Sequence, residues 1–109
     1  MLFHIIEPAR WERAQVEGSY TGSTRGRELA EEGFIHLSRE DQVSGVLSAF
    51  YADVPDLLVL HIDEALLSDP VVDDVVGTTA EGVDIVFPHL YGPLPVAAVV
   101  DVDAASKWG

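Results

Sequence analysis

The chain has 109 residues, nearly half of them apolar, and a formal net charge of −13. That length suits one domain spanning residues 1–109 with a single modest core, and the apolar content, with aromatics throughout, excludes a disordered chain. With no cysteine, disulfides, a thiolate nucleophile and a cysteine metal cage are excluded as well.

Charge is unevenly placed. All five arginines (Arg10, Arg13, Arg25, Arg27 and Arg39) lie in the first 39 residues, and Lys107 is the only lysine or arginine after them. The summed field repels polyanions, which disfavours non-specific nucleic-acid and anionic-membrane binding. A small anionic molecule or nucleotide remains compatible with the N-terminal arginines. No apolar run approaches the roughly 20 residues that span a bilayer. The opening Met1-Leu2-Phe3-His4-Ile5-Ile6-Glu7 lacks the basic region and cleavage site of a signal peptide. A cytoplasmic, acidic protein is the expectation, with the oligomeric state open.

Taken in order, Leu2 to Glu7 reads as a first strand with Phe3 and Ile5 on one face and His4 on the other. Pro8 suits a first helical position, and a surface helix with a narrow stripe of Trp11, Ala14 and Val16 runs to about Glu17. The stretch Gly18 to Arg27 is polar, rich in small residues and hydroxyls, and carries two arginines. Such a loop suits phosphate or carboxylate, although its spacing fits no nucleotide-binding fingerprint and an ordinary surface loop is the plainer reading. A short helix from about Arg27 to Glu32 stops at Gly33.

Gly33-Phe34-Ile35-His36-Leu37-Ser38 then reads as a short strand with Phe34, His36 and Ser38 on one face. Ser38-Arg39-Glu40-Asp41 resembles a capping box that opens a helix through Val43, Val46, Leu47 and Phe50, which gives Ser38 a structural task as N-cap. Leu57 to Asp63 is a strand buried on both faces. Glu64 to Leu67 makes one turn, Val71-Val72 and Val75-Val76 are strand around Asp73-Asp74, and 77–82 is a turn. Strands at Val83 to Phe87 and Val96 to Val102 follow, and the tail from Asp103 is expected to fray. The fold class is α+β, with about six strands in a mixed or split sheet and two or three helices in the first half.

Phe87-Pro88-His89-Leu90-Tyr91-Gly92-Pro93-Leu94 repeats the histidine theme, with Phe87, His89 and Tyr91 on one face if extended. His36 and His89 each adjoin a change of chain direction, where binding residues concentrate. Two imidazoles with a hydroxyl and a phenol suit proton transfer or the binding of a ribose, phosphate or carboxylate. His61 reads as an ordinary core histidine with only Asp63 beside it. No pair of histidines has metal-chelating spacing, so a metal could be assembled only from distant strands, for example by His4, His36 and His89 with a carboxylate, and none is expected.

The residues His4, Trp11, Tyr20, Glu32 to Ser38, Gln42, Leu58 to Asp63 and Phe87 to Pro93 resemble an uncharacterised family of small bacterial and plant proteins, a domain of unknown function. That family has been grouped with the ADP-ribosyltransferase-like fold, which includes RNA 2′-phosphotransferases. The resemblance implies a cleft between two small sheets lined by His4, His36 and His89, with Tyr20, Ser38, Gln42 and Tyr91 as neighbours and NAD as cofactor. His36 and His89 would be the catalytic pair in ADP-ribosyl or phosphoryl transfer, and the other five would bind the nucleotide. A Trp-Glu pair of the family pattern is missing at Val72-Asp73-Asp74-Val75, where Asp74 stands in with shorter reach. Two other readings stay open: a non-catalytic small-molecule sensor, and a structural or partner-binding domain. The cleft requires both imidazoles to be neighbours and open to solvent.

Overall fold

A computed structural model describes residues 1–22 and 29–108. Eight strands form three small sheets in an α+β arrangement: β1 (Leu2–Ile6), β4 (Leu58–Ile62) and β8 (Val99–Ala104) in the order β1-β4-β8; β2 (Ser19–Tyr20) with β7 (Leu94–Pro95); and β3 (Ile35–His36), β6 (Asp84–Leu90) and β5 (Val71–Thr78) in the order β3-β6-β5. Every pairing among them is antiparallel, so of the mixed or split sheet of about six strands expected from sequence it is the split form that is found, as eight strands in three antiparallel sheets. The three α-helices, α1 (Pro8–Glu17), α2 (Leu29–Glu32) and α3 (Val43–Phe50), all fall in the first half.

The first sheet divides the core. Leu2 and Ile6 of β1 face a cluster with Ile35, Leu37, Leu60, Ile62, Leu90 and Leu94, while Phe3 and Ile5 face a second with Val43, Tyr51 and Val59. β4, central and apolar, feeds both clusters, as a strand buried on two faces must. Helix α1 lies on the surface through Ala14 and Trp11. Val16 is 88% exposed and takes no part in its stripe.

The segment 35–38 ties the sheets together. Ile35 and His36 pair with Leu90 and His89, and Leu37 N–H donates to the Pro88 carbonyl. Pro88 has no N–H to return, so the ladder ends there. The chain is then free to form a two-bond bridge between Ser38 and Phe3 of the first sheet, at 2.8 Å each way.

Several expectations are corrected. The N-cap falls on Arg39, one residue later than read, because Ser38 is held extended by its bridge to Phe3. The return bond comes from Gln42, whose Oε1 accepts from Arg39 N–H at 2.9 Å, and a 3₁₀ turn at Glu40–Gln42 precedes α3. Residues 71–78 form one continuous strand, with a register shift between Val75 and Gly77 that leaves Val76 bulged. The last strand starts at Val99, after a 3₁₀ turn at Val96–Ala98. The tail does not fray through residue 108: Trp108 packs edge-on against Phe3, ring centroids 5.1 Å apart. The arginines at 25 and 27 lie outside the described residues.

Candidate functional site

The β3–β6 register sets His36 directly opposite His89. Their rings meet edge to face with centroids 4.7 Å apart. Two residues along the same face of each segment stand Phe34 and Tyr91, whose rings lie 5.4 Å apart. Phe34 lies nearly parallel to His89 at 4.1 Å and 11°, and 4.9 Å from His36. Four rings from two distant parts of the chain thus form one cluster.

Each imidazole has a carboxylate. On β5, Asp74 lies diagonally across from His89, and its Oδ2 accepts from His89 Nδ1–H at 2.8 Å and from the Tyr91 hydroxyl at 2.5 Å. The carboxylate fixes the His89 tautomer, because only a protonated Nδ1 can donate to it. In the neutral ring Nε2 therefore presents a lone pair. That atom is buried and has no hydrogen-bond partner. Opposite it, the left-handed turn at Gly33 (φ 85°) follows α2 and brings Glu32 Oε1 to 3.7 Å from His36 Nε2.

Burial, then the neighbouring His89, holds the His36 imidazole below its ordinary value, with Glu32 opposing both. The Tyr91 and His89 hydrogen bonds hold Asp74 below the usual carboxylate range, and the same Asp74 bond raises the Tyr91 phenol. The site therefore combines a neutral imidazole, an anchored second imidazole and fixed negative charge. Imidazoles in such a setting can accept and donate protons.

The remaining predicted residues are placed around it in different ways. His4 lies behind the pair: its Nδ1–H donates to the His36 carbonyl at 2.6 Å, and its ring is 5.3 Å from Tyr20. Burial lowers its pKa from 6.5 to about 4, with only partial opposition from that hydrogen bond, and its Nε2 has no partner. Tyr20 also lines a cavity of about 280 Å³ that includes Arg10, Arg13, Ser19 and Thr21. Ser38 is buried and engaged through its backbone. Gln42 is spent on structure, since its Nε2 donates to the Val86 carbonyl at 2.7 Å while its Oε1 serves Arg39.

Solvent reaches only one of the two imidazoles. His36 is half-buried, but His89 is 2% exposed, covered by the stacked Phe34, so the expectation that both rings open to water is corrected for His89. Sequence reasoning also passed over Phe34 and Glu32 as participants. The signal for Phe34 was present in its shared face with His36. Glu32 gave none, because its approach depends on the Gly33 turn.

Elsewhere, His61 pairs with Asp103 at 2.7 Å rather than with Asp63, which caps a 3₁₀ turn by accepting from Ala65 N–H. His61, Asp101 and Asp103 bring one ligand atom each within 4.8 Å of one another, the group among the described residues with metal-ligating chemistry. Its imidazole and one carboxylate already satisfy each other.

The chain belongs to the family described as protein of unknown function (DUF952), whose model matches residues 5–102. It is similar to protein CC0527 from Caulobacter crescentus, solved by X-ray crystallography, at 26% identity and a TM-score of 0.76, over 94% of this chain and 83% of that one. A double methionine mutant of the same protein aligns at 25% identity and a TM-score of 0.75 with the same coverage. No curated protein matches the sequence.

Proposed function

We propose that the four-ring cluster binds a small nucleotide of the NAD or ADP-ribose class and serves ADP-ribosyl or phosphoryl transfer, as the ADP-ribosyltransferase-like resemblance implies. One observation carries this reading: the β3–β6 register sets half-exposed His36 edge-on to His89, whose Nδ1 is anchored by Asp74. Of the two imidazoles His36 is the one a ligand in solution meets, with Glu32 Oε1 3.7 Å from its Nε2. Phe34 and Tyr91 offer aromatic faces, and Glu32 and Asp74 offer negative charge, which together suit a planar cation such as a pyridinium ring. Arg10 and Arg13 supply positive charge at the cavity that Tyr20 shares, the natural end for phosphates.

In a transfer of this type the bond from ribose to nicotinamide breaks with positive charge growing on the sugar. With NAD held there, Glu32 and Asp74 would offset that charge. The incoming hydroxyl would bond to the sugar carbon that nicotinamide leaves and pass its proton to the His36–His89 pair. His36, the imidazole that solvent reaches, would orient the sugar. His4 and Tyr20 support the pair from behind. Calorimetry with NAD, ADP-ribose and ribose 5-phosphate tests the reading. Saturable binding of the first two is expected, and absence of heat at millimolar ligand contradicts it.

A second reading, a non-catalytic binding module, is favoured by the engagement of Asp74 with both His89 and Tyr91. It predicts ligand-dependent melting without turnover. Nicotinamide release that disappears in His36→Ala would exclude it.

A further inference from the structure

The first sheet carries a second group of metal-ligating side chains, on the face away from the ring cluster. In the β4–β8 pairing His61 stands opposite Asp101, and Asp103 follows two residues along β8, so the three side chains leave the same face. Phe3 faces His61 from β1, whereas His4, which serves the ring cluster, leaves the other side. The imidazole is held by two rings, Phe3 edge-on at 5.0 Å and Trp108 at 5.9 Å. So held, His61 Nε2 meets Asp103 Oδ2 at 2.7 Å, with side chains only 19% and 25% exposed. Asp101 is exposed and its Oδ1 accepts from Val102 N–H at 2.9 Å. The Trp108 indole N–H is buried without an acceptor, so the chain's own groups do not satisfy every donor in this corner.

We propose that His61, Asp101 and Asp103 form a site for one divalent transition-metal ion of the zinc class, which fastens the edge strand β8 to the central β4. One ligand atom from each residue lies within 4.8 Å of the other two. Ligand atoms on such an ion, with bonds of about 2.0–2.2 Å, stand roughly 3–3.5 Å apart. The His61–Asp103 pair is already close to that spacing, and the exposed Asp101 carboxylate closes the rest by side-chain rotation. An imidazole nitrogen with two carboxylates selects zinc-like ions over magnesium and calcium, which favour all-oxygen sites. Coordination replaces the hydrogen bond: the Nε2 proton passes to Nδ1 or to solvent, and the freed lone pair and Asp103 Oδ2 turn to the ion. Water fills the remaining positions on the open side. The acidic chain adds a general attraction for cations. The site shares no residue with the ring cluster and stands whether or not that cluster binds a nucleotide.

The experiment titrates zinc chloride into the full chain, stripped with a chelator and exchanged into chelator-free buffer, while the four imidazole Hε1 resonances are followed by proton NMR. The His61 signal should move and saturate near one equivalent, those of His4, His36 and His89 should stay still, and the melting temperature should rise with zinc. Millimolar magnesium should leave His61 unmoved. Asp101→Asn preserves the fold, because the residue is exposed and asparagine keeps an oxygen for Val102 N–H. It should weaken zinc binding by about tenfold or more, since even a partner behind a metal ligand is worth that much. His61→Gln should abolish the zinc-dependent rise in melting temperature. The proposal is overturned if His61 does not respond to excess zinc, or if folded Asp101→Asn binds as tightly as wild type. It is equally overturned if all four histidines shift together, the mark of adventitious surface binding.

Discussion

His4 is surrounded by protein, and that decides its charge. A neutral imidazole in the fold whose pKa has fallen from 6.5 to about 4 gives stability that is fully present above pH 6.5 and lost as pH falls toward 4. The shift corresponds to about 3 kcal/mol. His36, also lowered, adds to the same window. Denaturant melts between pH 7 and 4 should therefore lose several kcal/mol in wild type, and His4→Leu should flatten much of that slope; an unchanged slope would contradict the assignment. Asp74 acts in a different range. Its depressed carboxyl supports the fold above the ordinary carboxylate value and releases that support below it, whereas the raised Tyr91 phenol supports the fold below pH 10 and loses that support above it. In Asp74→Asn the Tyr91 ionisation, followed by ultraviolet absorbance, should return toward 10; a phenol that titrates as in wild type would break the Asp74–Tyr91 link.

At the scale of elements, the site depends on short-range devices that are hard to see in a sequence. The alternation of Phe34, His36 and Ser38, and of Phe87, His89 and Tyr91, was legible because a strand's side-chain period is two. So were Pro8 as a helix start, Gly33 as a helix stop and the doubly buried β4. Pairing partners were not legible: nothing in residues 71–76 announces that Asp74 reaches His89, since that follows from a register set by the whole β5–β6 hairpin. The shifted N-cap has a similar cause. The Ser38 bridge to Phe3 is a tertiary contact that overrides a local capping preference. Two substitutions test these devices. Gly33→Ala meets no steric neighbour but forces alanine to a left-handed φ, and should cost about 1 kcal/mol in thermal unfolding and weaken the Glu32–His36 approach. Gln42→Ala removes the bond that ties the start of α3 to Val86 of β6 together with the capping bond from Arg39 N–H, and should cost about 1–3 kcal/mol. Loss of less than a few tenths in either case would mean that the turn or the staple does not hold the site.

Over the whole molecule, 19 acids stand against six lysines and arginines. Self-repulsion of that size is screened by salt, so the melting temperature should rise with sodium chloride from low to physiological strength, and the protein should pass a heparin column unretained. A melting temperature that falls with salt would show that specific ion pairs outweigh the net charge. No helix among the described residues is long and apolar enough to cross a membrane. The ring cluster and the Arg10–Arg13 cavity are joined through Tyr20, His4 and the His36 carbonyl.

The most direct test of the site is proton NMR of the four imidazole Hε1 resonances during titration with NAD. His36 and His89 should shift together and saturate, His61 should stay still, and His36→Ala should abolish the response at His89. No movement at millimolar NAD, or equal movement of His61, would contradict the account.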